Sequence, residues 1–162
     1  YRNIPFDVSR SSILLFLNEV LYRSIREEEN DPDLFEFVSG SLQLLDLHPE
    51  SGNSFHLLFM LRLARHLGFQ PHGRYSDNEP LFDLKEGVFR REHPGHPHFI
   101  EGELARKFDL MTVACNDLSS DPGITSAERR ELLERILEYF RLHIDGFGEL
   151  RSHKVLEEVL GD

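Results

Sequence analysis

Tryptophan is absent from these 162 residues, and cysteine occurs once. A lone Cys115 excludes an internal disulfide and a thiolate zinc site, and its expected role is a small buried helical thiol. With 2 Met against 13 Phe, the core must be Phe/Leu packing. Positive charge is also short: 18 Lys and Arg face 29 Asp and Glu, for a net charge of -11. Such a chain is no general polyanion binder, and nucleic acid would stay only where cations gather on one face. No apolar run approaches the roughly 18 residues that span a bilayer, and no secretion signal is present, so no membrane partner is expected and the cytoplasm is the expected compartment. There is no nucleophile elbow, no Gly-rich phosphate loop and no His-Glu-x-x-His, and an enzyme is not expected. Internal repeats and low-complexity segments are lacking too.

What is present is helical periodicity around one very apolar stretch, Ser54 to Phe69. Leu57 to Leu61 is five apolar residues in a row, continued by Leu63, Ala64 and Leu67. A helix apolar nearly all round must be enclosed by other elements. About 14 residues is too long for a buried strand, and β-branched residues are missing. Gly68 suits the left-handed C′ position, Phe69 can fold back on the last turn, and Pro71 blocks continuation. Asn53 or Ser54 can cap the start. The charged atoms of Arg62, Arg65 and His66 must then reach an edge or meet a partner.

Around this helix the pattern predicts others. Residues 1–8 are extended. Ser9 to Ser12 offers caps for a helix with Ile13, Leu14, Leu17, Val20, Leu21 and Ile25 inward, widened by Leu15 and Phe16 and exposed towards Arg26–Glu29. A turn at Asn30–Asp33 places Pro32 at the first position of a second helix, with a Leu34, Phe35, Val38, Leu42, Leu45 stripe flanked by Phe37 and Leu44. His48 to Gly52 breaks it. From about 70 to 102 the helical period vanishes; Leu81 to Arg90 reads as a β-hairpin turning at Lys85-Glu-Gly87, followed by an irregular loop from His93 to His98. Leu104, Phe108, Met111 and Cys115 mark a further helix, and Leu118 to Gly123 a polar loop. Thr125-Ser-Ala-Glu128 fits a capping box before an amphipathic helix with Leu132, Leu133, Ile136, Leu137, Phe140 and Ile144 inside and a Glu131–Arg135 pair outside. Gly146 and Gly148 bend the chain, and Ser152 caps a last helix with Val155, Leu156 and Val159 facing in. The sum is an all-α bundle around a central buried helix, with a small β-hairpin insertion: one helical domain over 1–162. The opening Tyr-Arg-Asn-Ile-Pro lacks an initiator Met, so this domain is expected to be part of a longer chain.

Chemically, the sharpest cluster is His93, His96 and His98, with Asp83, Glu86 and Glu92 near in sequence. Imidazole and carboxylate are good zinc ligands, but two prolines and a glycine form one stiff turn where a structural site wants two knuckles. Either a metal or a solvated polar loop is consistent with this. The Glu-rich segments read as solvated helix faces rather than paired catalytic acids. Arg62 and Arg65, three apart, share a helix face. They either pair with Glu of a neighbouring helix or, with His66, Leu58 and Leu61, receive a peptide ending in a hydrophobic side chain and a carboxylate. Arg141, Arg151 and Lys154, with His143 and His153, make the C-terminal end the most basic part of the chain.

Two stretches together resemble the RecO family of bacterial DNA repair. Phe140-Arg-Leu-His-Ile-Asp-Gly-Phe-Gly-Glu-Leu-Arg-Ser-His-Lys-Val-Leu156 is similar to that family's C-terminal signature. Phe59-x-Leu-x-Leu-Ala-x-His-Leu-Gly-Phe69 resembles its central helix, and Ile4-Pro-Phe-Asp7 through Leu21 its first helix after an N-terminal OB-fold. The resemblance implies the helical C-terminal domain of a non-catalytic recombination mediator, without the OB-fold. It implies strand annealing, recombinase loading, binding of RecR and of the acidic tail of single-stranded-DNA-binding protein, and a nucleoid-associated place in the cytoplasm. DNA would be bound mainly through the missing domain, with Arg141, Arg151 and Lys154 as candidate DNA contacts and Arg151 and Lys154 the better of them for residual phosphate contact. Many family members hold zinc in the insertion through two Cys-x-x-Cys knuckles. Tyr75-Ser-Asp-Asn78 and His93-Pro-Gly-His96 stand in their place here, so the insertion is a degenerate zinc-ribbon, no cofactor is expected, and the hairpin should hold by its own packing. Two other readings stay open: an all-α metal-dependent hydrolase using His93, His96 and His98, and a helical adaptor unrelated to repair.

Overall fold

A computed structural model describes residues 8–25, 31–47 and 54–160, apart from the side chains of residues 155, 159 and 160. The expected extended start, the exposed Arg26–Glu29 stretch, the His48–Gly52 break, the Asn53 cap and the inward Val155 and Val159 lie outside the described residues. Among the described residues six helices and three short strands follow one another: α1 Val8–Ser24, α2 Pro32–Leu47, α3 Phe55–Leu67, β1 Leu81–Asp83, β2 Val88–Arg90, β3 Phe99–Ile100, α4 Gly102–Ala114, α5 Ser126–His143 and α6 His153–Leu160.

α3 is the enclosed helix. Phe55 through Leu61, Leu63 and Ala64 are all buried, with α2, α4 and α5 packed round them. Truncating Leu57, Leu58, Leu61 or Leu63 leaves a cavity in this core, which typically costs about 2–5 kcal/mol. Gly68 ends the helix at φ 93°, a conformation that needs no Cβ, and the Phe69 amide turns back to the Ala64 carbonyl at 2.9 Å. At the other end Ser54 holds the N-cap position, yet its hydroxyl makes no capping bond.

α1 begins at Val8, so the Ser9–Ser12 run lies inside the helix instead of capping it. Ile13, Phe16, Leu17 and Val20 face in, whereas Leu15 is exposed. α2 starts with Pro32 as expected, and its first turn is capped by Asp31 Oδ1 accepting from the Leu34 amide at 3.1 Å. Phe35, expected in the buried stripe, is 72% exposed. The edge of α2 that meets α3 runs through Leu34, Phe37, Ser41 and Leu45. Phe35 lies about 200° round the helix from Phe37 and points away from it.

The insertion is a three-stranded antiparallel sheet in the order β2-β1-β3. Phe82 faces Phe89 across the hairpin, and Asp83 faces Val88. β3, which sequence did not reveal, adds Phe99 opposite Asp83 and Ile100 opposite Phe82. Phe82 is the wedge that seats this sheet: its ring centroid lies 4.6 Å from Phe108 of α4 and 5.7 Å from Tyr139 of α5. The hairpin turn closes with Gly87 at φ 73°, where a Cβ would come within 3.1 Å of the Tyr139 hydroxyl. That hydroxyl donates to the Phe69 carbonyl, so one buried tyrosine joins α5, the turn and the end of α3.

α4 turns Phe108 and Met111 inward, and Cys115 is buried just past its end, its thiol donating to the Thr112 carbonyl at 3.1 Å. Burial pushes that thiol's pKa up, so it stays protonated and inert. α5 opens with the expected capping box: Thr125 Oγ1 accepts from the Glu128 amide at 3.1 Å, and the Glu128 carboxylate accepts from the Thr125 amide at 2.8 Å. Thr125→Ala should lower stability by about 1 kcal/mol, seen by thermal denaturation as a Tm loss of about 2–4 °C in a chain this size. Arg135 pairs with Glu138 at 2.6 Å rather than with Glu131, because its guanidinium also reaches the Phe99 carbonyl of β3.

The last helix is fastened by an acid from the first. Glu19 of α1 accepts from the Arg151 amide at 2.8 Å, the Ser152 amide at 2.9 Å and the Ser152 hydroxyl at 2.6 Å. Burial alone would raise the Glu19 pKa. The Ser152 hydroxyl, the two amides and Arg23 outweigh it and hold the pKa below the ordinary value. Ser152 thus spends its side chain on Glu19, and a carboxylate sits at the positive end of α6. Among the described residues no helix is long and apolar enough to cross a membrane.

Candidate functional site

Arg62, Arg65 and His66 emerge where α3 passes the end of α4. Arg62 Nη1 donates to the Cys115 and Asn116 carbonyls at 3.3 and 3.2 Å, and Arg65 Nη1 to the Asn116 side-chain oxygen at 2.8 Å. The Arg62 partners are the carbonyls trailing off a helix C-terminus, where partial negative charge gathers, and the Arg65 partner is a side-chain amide. The Glu partners weighed from sequence do not appear: among the described residues neither guanidinium is paired with a carboxylate. Arg65 remains exposed and Arg62 half-buried.

Phe37 of α2 gives this rim an aromatic step. The Arg62 guanidinium lies 5.7 Å from its ring centroid, and the His66 ring stacks on it at 4.6 Å and 19°. His66 Nε2 is buried and without a hydrogen-bond partner. Burial, then Arg62 and Arg65, hold its pKa below the ordinary value against the opposing pull of Asp31 and Asp33. The imidazole is therefore neutral at pH 7 and offers an unused polar atom. Leu58 and Leu61, expected to line the partner surface, are 0% and 1% exposed and belong to the core. Both face the enclosing helices, so no partner touches them without unfolding α3. A pocket of about 250 Å³ at the same end of α3 is lined by Ile25, Leu34, Leu67, Phe69 and Ile144, but not by Arg62 or Arg65. This pocket, whose wall also includes Ser24, His143 and Asp145, and the two cations are separate features.

The three imidazoles of the insertion diverge. His93 Nε2 lies 3.4 Å from Glu101, His96 Nε2 3.1 Å from Asp83, and His98 Nδ1 2.7 Å from Glu138. Ser76 Oγ is spent on the Glu79 amide, and Tyr75 packs against the core. This donor set does not fit the ion of a zinc ribbon. It does not assemble a hydrolytic site either, since each ring serves a different carboxylate.

Asp83 takes the ion's structural place. Fully buried, its Oδ1 accepts from the Lys85 and Glu86 amides at 2.9 and 3.0 Å, and its Oδ2 from Arg90 Nη1 at 3.1 Å. His96 Nδ1 accepts from the His98 amide, so its Nε2 carries the hydrogen, close to Asp83 but out of line for a hydrogen bond. Other contacts tie the insertion to the helices. Arg74 makes a two-pronged pair with Asp109 of α4 at 2.8 and 3.1 Å, and His143 meets the Leu84 carbonyl at 2.8 Å.

At the C-terminal end the expected basic surface is thinner than the sequence suggests. Arg141 lies 3.7 Å from Glu149. His143 stacks on Phe69, and His153 is buried. The Arg151 and Lys154 side chains alone of this set are exposed cations without a described acidic partner.

Comparison with known proteins accords with these elements. Residues 5–153 match the family model described as "Recombination protein O C terminal". The chain is 36% identical over 161 residues to the DNA repair protein RecO of Bacteroides fragilis, covering 98% of this chain and 66% of that protein. It is 33% identical over 159 residues to the namesake from Phocaeicola vulgatus, covering 98% and 66%. With the namesake from Azobacteroides pseudotrichonymphae the identity is 30% over 150 residues, covering 93% and 62%. The chain thus spans just under two thirds of the length of these relatives. No solved structure matches it.

Proposed function

This chain belongs to the recombination protein O C-terminal family, and from that membership we propose that it is the partner-engaging helical part of a non-catalytic DNA repair and recombination mediator. Its partners are the acidic, hydrophobic-ended tail of single-stranded-DNA-binding protein and RecR, and its work is to help anneal strands and load recombinase. One observation carries the choice of surface. In a chain of net charge -11, Arg62 and Arg65 stand beside an aromatic step with no carboxylate paired to them among the described residues. A terminal carboxylate meets Arg65, the reachable one of the two, while the Phe37 and His66 faces receive an aromatic side chain. DNA is held mainly by sequence outside this chain, with Arg151 and Lys154 adding phosphate contacts.

Fluorescence anisotropy with a labelled acidic peptide ending in Pro-Phe tests this. Binding is expected at low salt and should weaken at least about tenfold in Arg65→Glu, since a charge-assisted contact becomes a repulsion. Arg62→Glu should weaken it too, with some loss of stability because the α4 carbonyls lose their donor. Absence of binding, or binding unchanged by both substitutions, would contradict the assignment.

A further inference from the structure

Where α6 lies against α5, one imidazole and two carboxylates converge. Glu134 comes from α5, and His153 and Glu157 are one turn apart on α6. One ligand atom from each lies within 4.8 Å of the others. The imidazole is the anchored member, 7% exposed. Its Nδ1 lies 3.2 Å from the Leu150 carbonyl. A carbonyl only accepts, so Nδ1 carries the hydrogen, and the neutral ring presents a bare lone pair at Nε2. That lone pair faces Glu134 Oε1 at 3.3 Å, with the Glu157 carboxylate beside it. Three electron-rich atoms are aimed at one spot, an arrangement that calls for a positive charge between them.

The spacing suits a metal. Bonds of about 2.0–2.2 Å put neighbouring donors of a tetrahedral zinc about 3.4 Å apart, close to the separation between His153 and Glu134. Metal-bound imidazoles commonly donate their other N–H to a backbone carbonyl, as His153 does to Leu150. Glu134 is exposed, so an ion reaches the group directly from solvent. We propose that Glu134, His153 and Glu157 bind a first-row divalent cation, zinc by preference, with one coordination position left to solvent. Imidazole with carboxylates favours zinc over magnesium or calcium, which ask for oxygen alone. The ion clamps the middle of α6 to α5, as Glu19 clamps its start to α1. The site departs from the expectation of no cofactor, and it owes nothing to His93, His96 or His98.

The competing occupant is a proton, either on Nε2, giving an imidazolium ion pair, or in the hydrogen bond between the Glu134 and Glu157 carboxyls. Calorimetric titration of the metal-stripped chain with Zn²⁺ separates the two. One equivalent is expected to bind, with affinity falling about 10- to 100-fold in Glu134→Gln and Glu157→Gln and lost in His153→Ala. Both glutamine variants are near-isosteric, and far-ultraviolet circular dichroism confirms that α6 is intact. Co²⁺ should give the visible absorption of a low-coordinate nitrogen/oxygen site, absent in His153→Ala, while Mg²⁺ should not compete. Affinity no tighter than about 1 mM, or binding that survives both glutamine substitutions, would overturn the proposal. So would binding abolished by His93→Ala with His98→Ala.

Discussion

Replacing Asp83 with alanine should lower the melting temperature by roughly 6–20 °C and loosen the β insertion before the helices. The substitution strips the acceptor from two turn amides and from Arg90, deep in the sheet. Three hydrogen bonds to a charged acceptor go with the carboxylate, each worth about 1–1.5 kcal/mol because the partly exposed Arg90 side chain and the turn regain some water, so the cost is about 3–5 kcal/mol in all. Each kcal/mol is worth about 2–4 °C in a chain of this size. Asp83→Asn keeps an acceptor for the turn and should cost less. Burial by itself would raise the Asp83 pKa; the Glu86 amide, Arg90, His96 and the Lys85 amide overcome it and hold the pKa below its ordinary 3.8. The stabilisation is therefore present above that value and is lost as pH falls through the lower folded one. Calorimetry at neutral pH, with amide exchange across residues 81–100, reads both parts. A melting temperature within about 2 °C of the parent would show that packing, not Asp83, holds the ribbon.

Acid should destabilise the chain at higher pH than its carboxylates explain, and His56 is the reason. It sits on α3 in the core, its edge to the Phe16 ring at 5.9 Å, with Nδ1 unpartnered. Burial first, and the charge of Arg129 second, press its pKa from 6.5 to about 3. The unfolded chain binds a proton near pH 6.5 and the folded one does not, so stability is full above that pH and drains away between there and about pH 3. Each pH unit below 6.5 costs about 1.4 kcal/mol, so moving from pH 7.5 to pH 5 should remove about 2 kcal/mol. His66, also held below its ordinary value, adds a smaller loss of the same sign. Urea titrations at several pH values should show most of this slope gone in His56→Leu. An equal slope in parent and variant would place the acid sensitivity elsewhere.

The sequence revealed what local periodicity and turn chemistry encode. The enclosed α3, its Gly68 stop, the hairpin around Gly87 and the Thr125 box all follow from residues within a turn or two of each other. What it concealed is set by contacts between distant elements. Phe35 and Phe37 look alike in the chain, and only the direction of α3 decides which one packs against it. β3 is two residues long and exists because β1 has a free edge. Arg62 and Arg65 were legible as a helix-edge pair, but their partners, the Cys115 and Asn116 carbonyls and the Asn116 side chain just past α4, lie more than 50 residues away. The His93–His98 loop drew attention as a cluster, whereas the three ligands that do converge come from residues 134, 153 and 157. A His-x-x-x-Glu spacing on a predicted last helix was the one signal for that site in the chain.

The most direct test of the α3 rim as the partner surface is to map amide chemical shifts while the acidic Pro-Phe peptide is titrated into the isotope-labelled chain. Shifts should centre on Phe37, Arg65, His66 and Asn116 and fade as salt is raised. Shifts centred on α6 or the insertion, with those four residues unmoved, would contradict it.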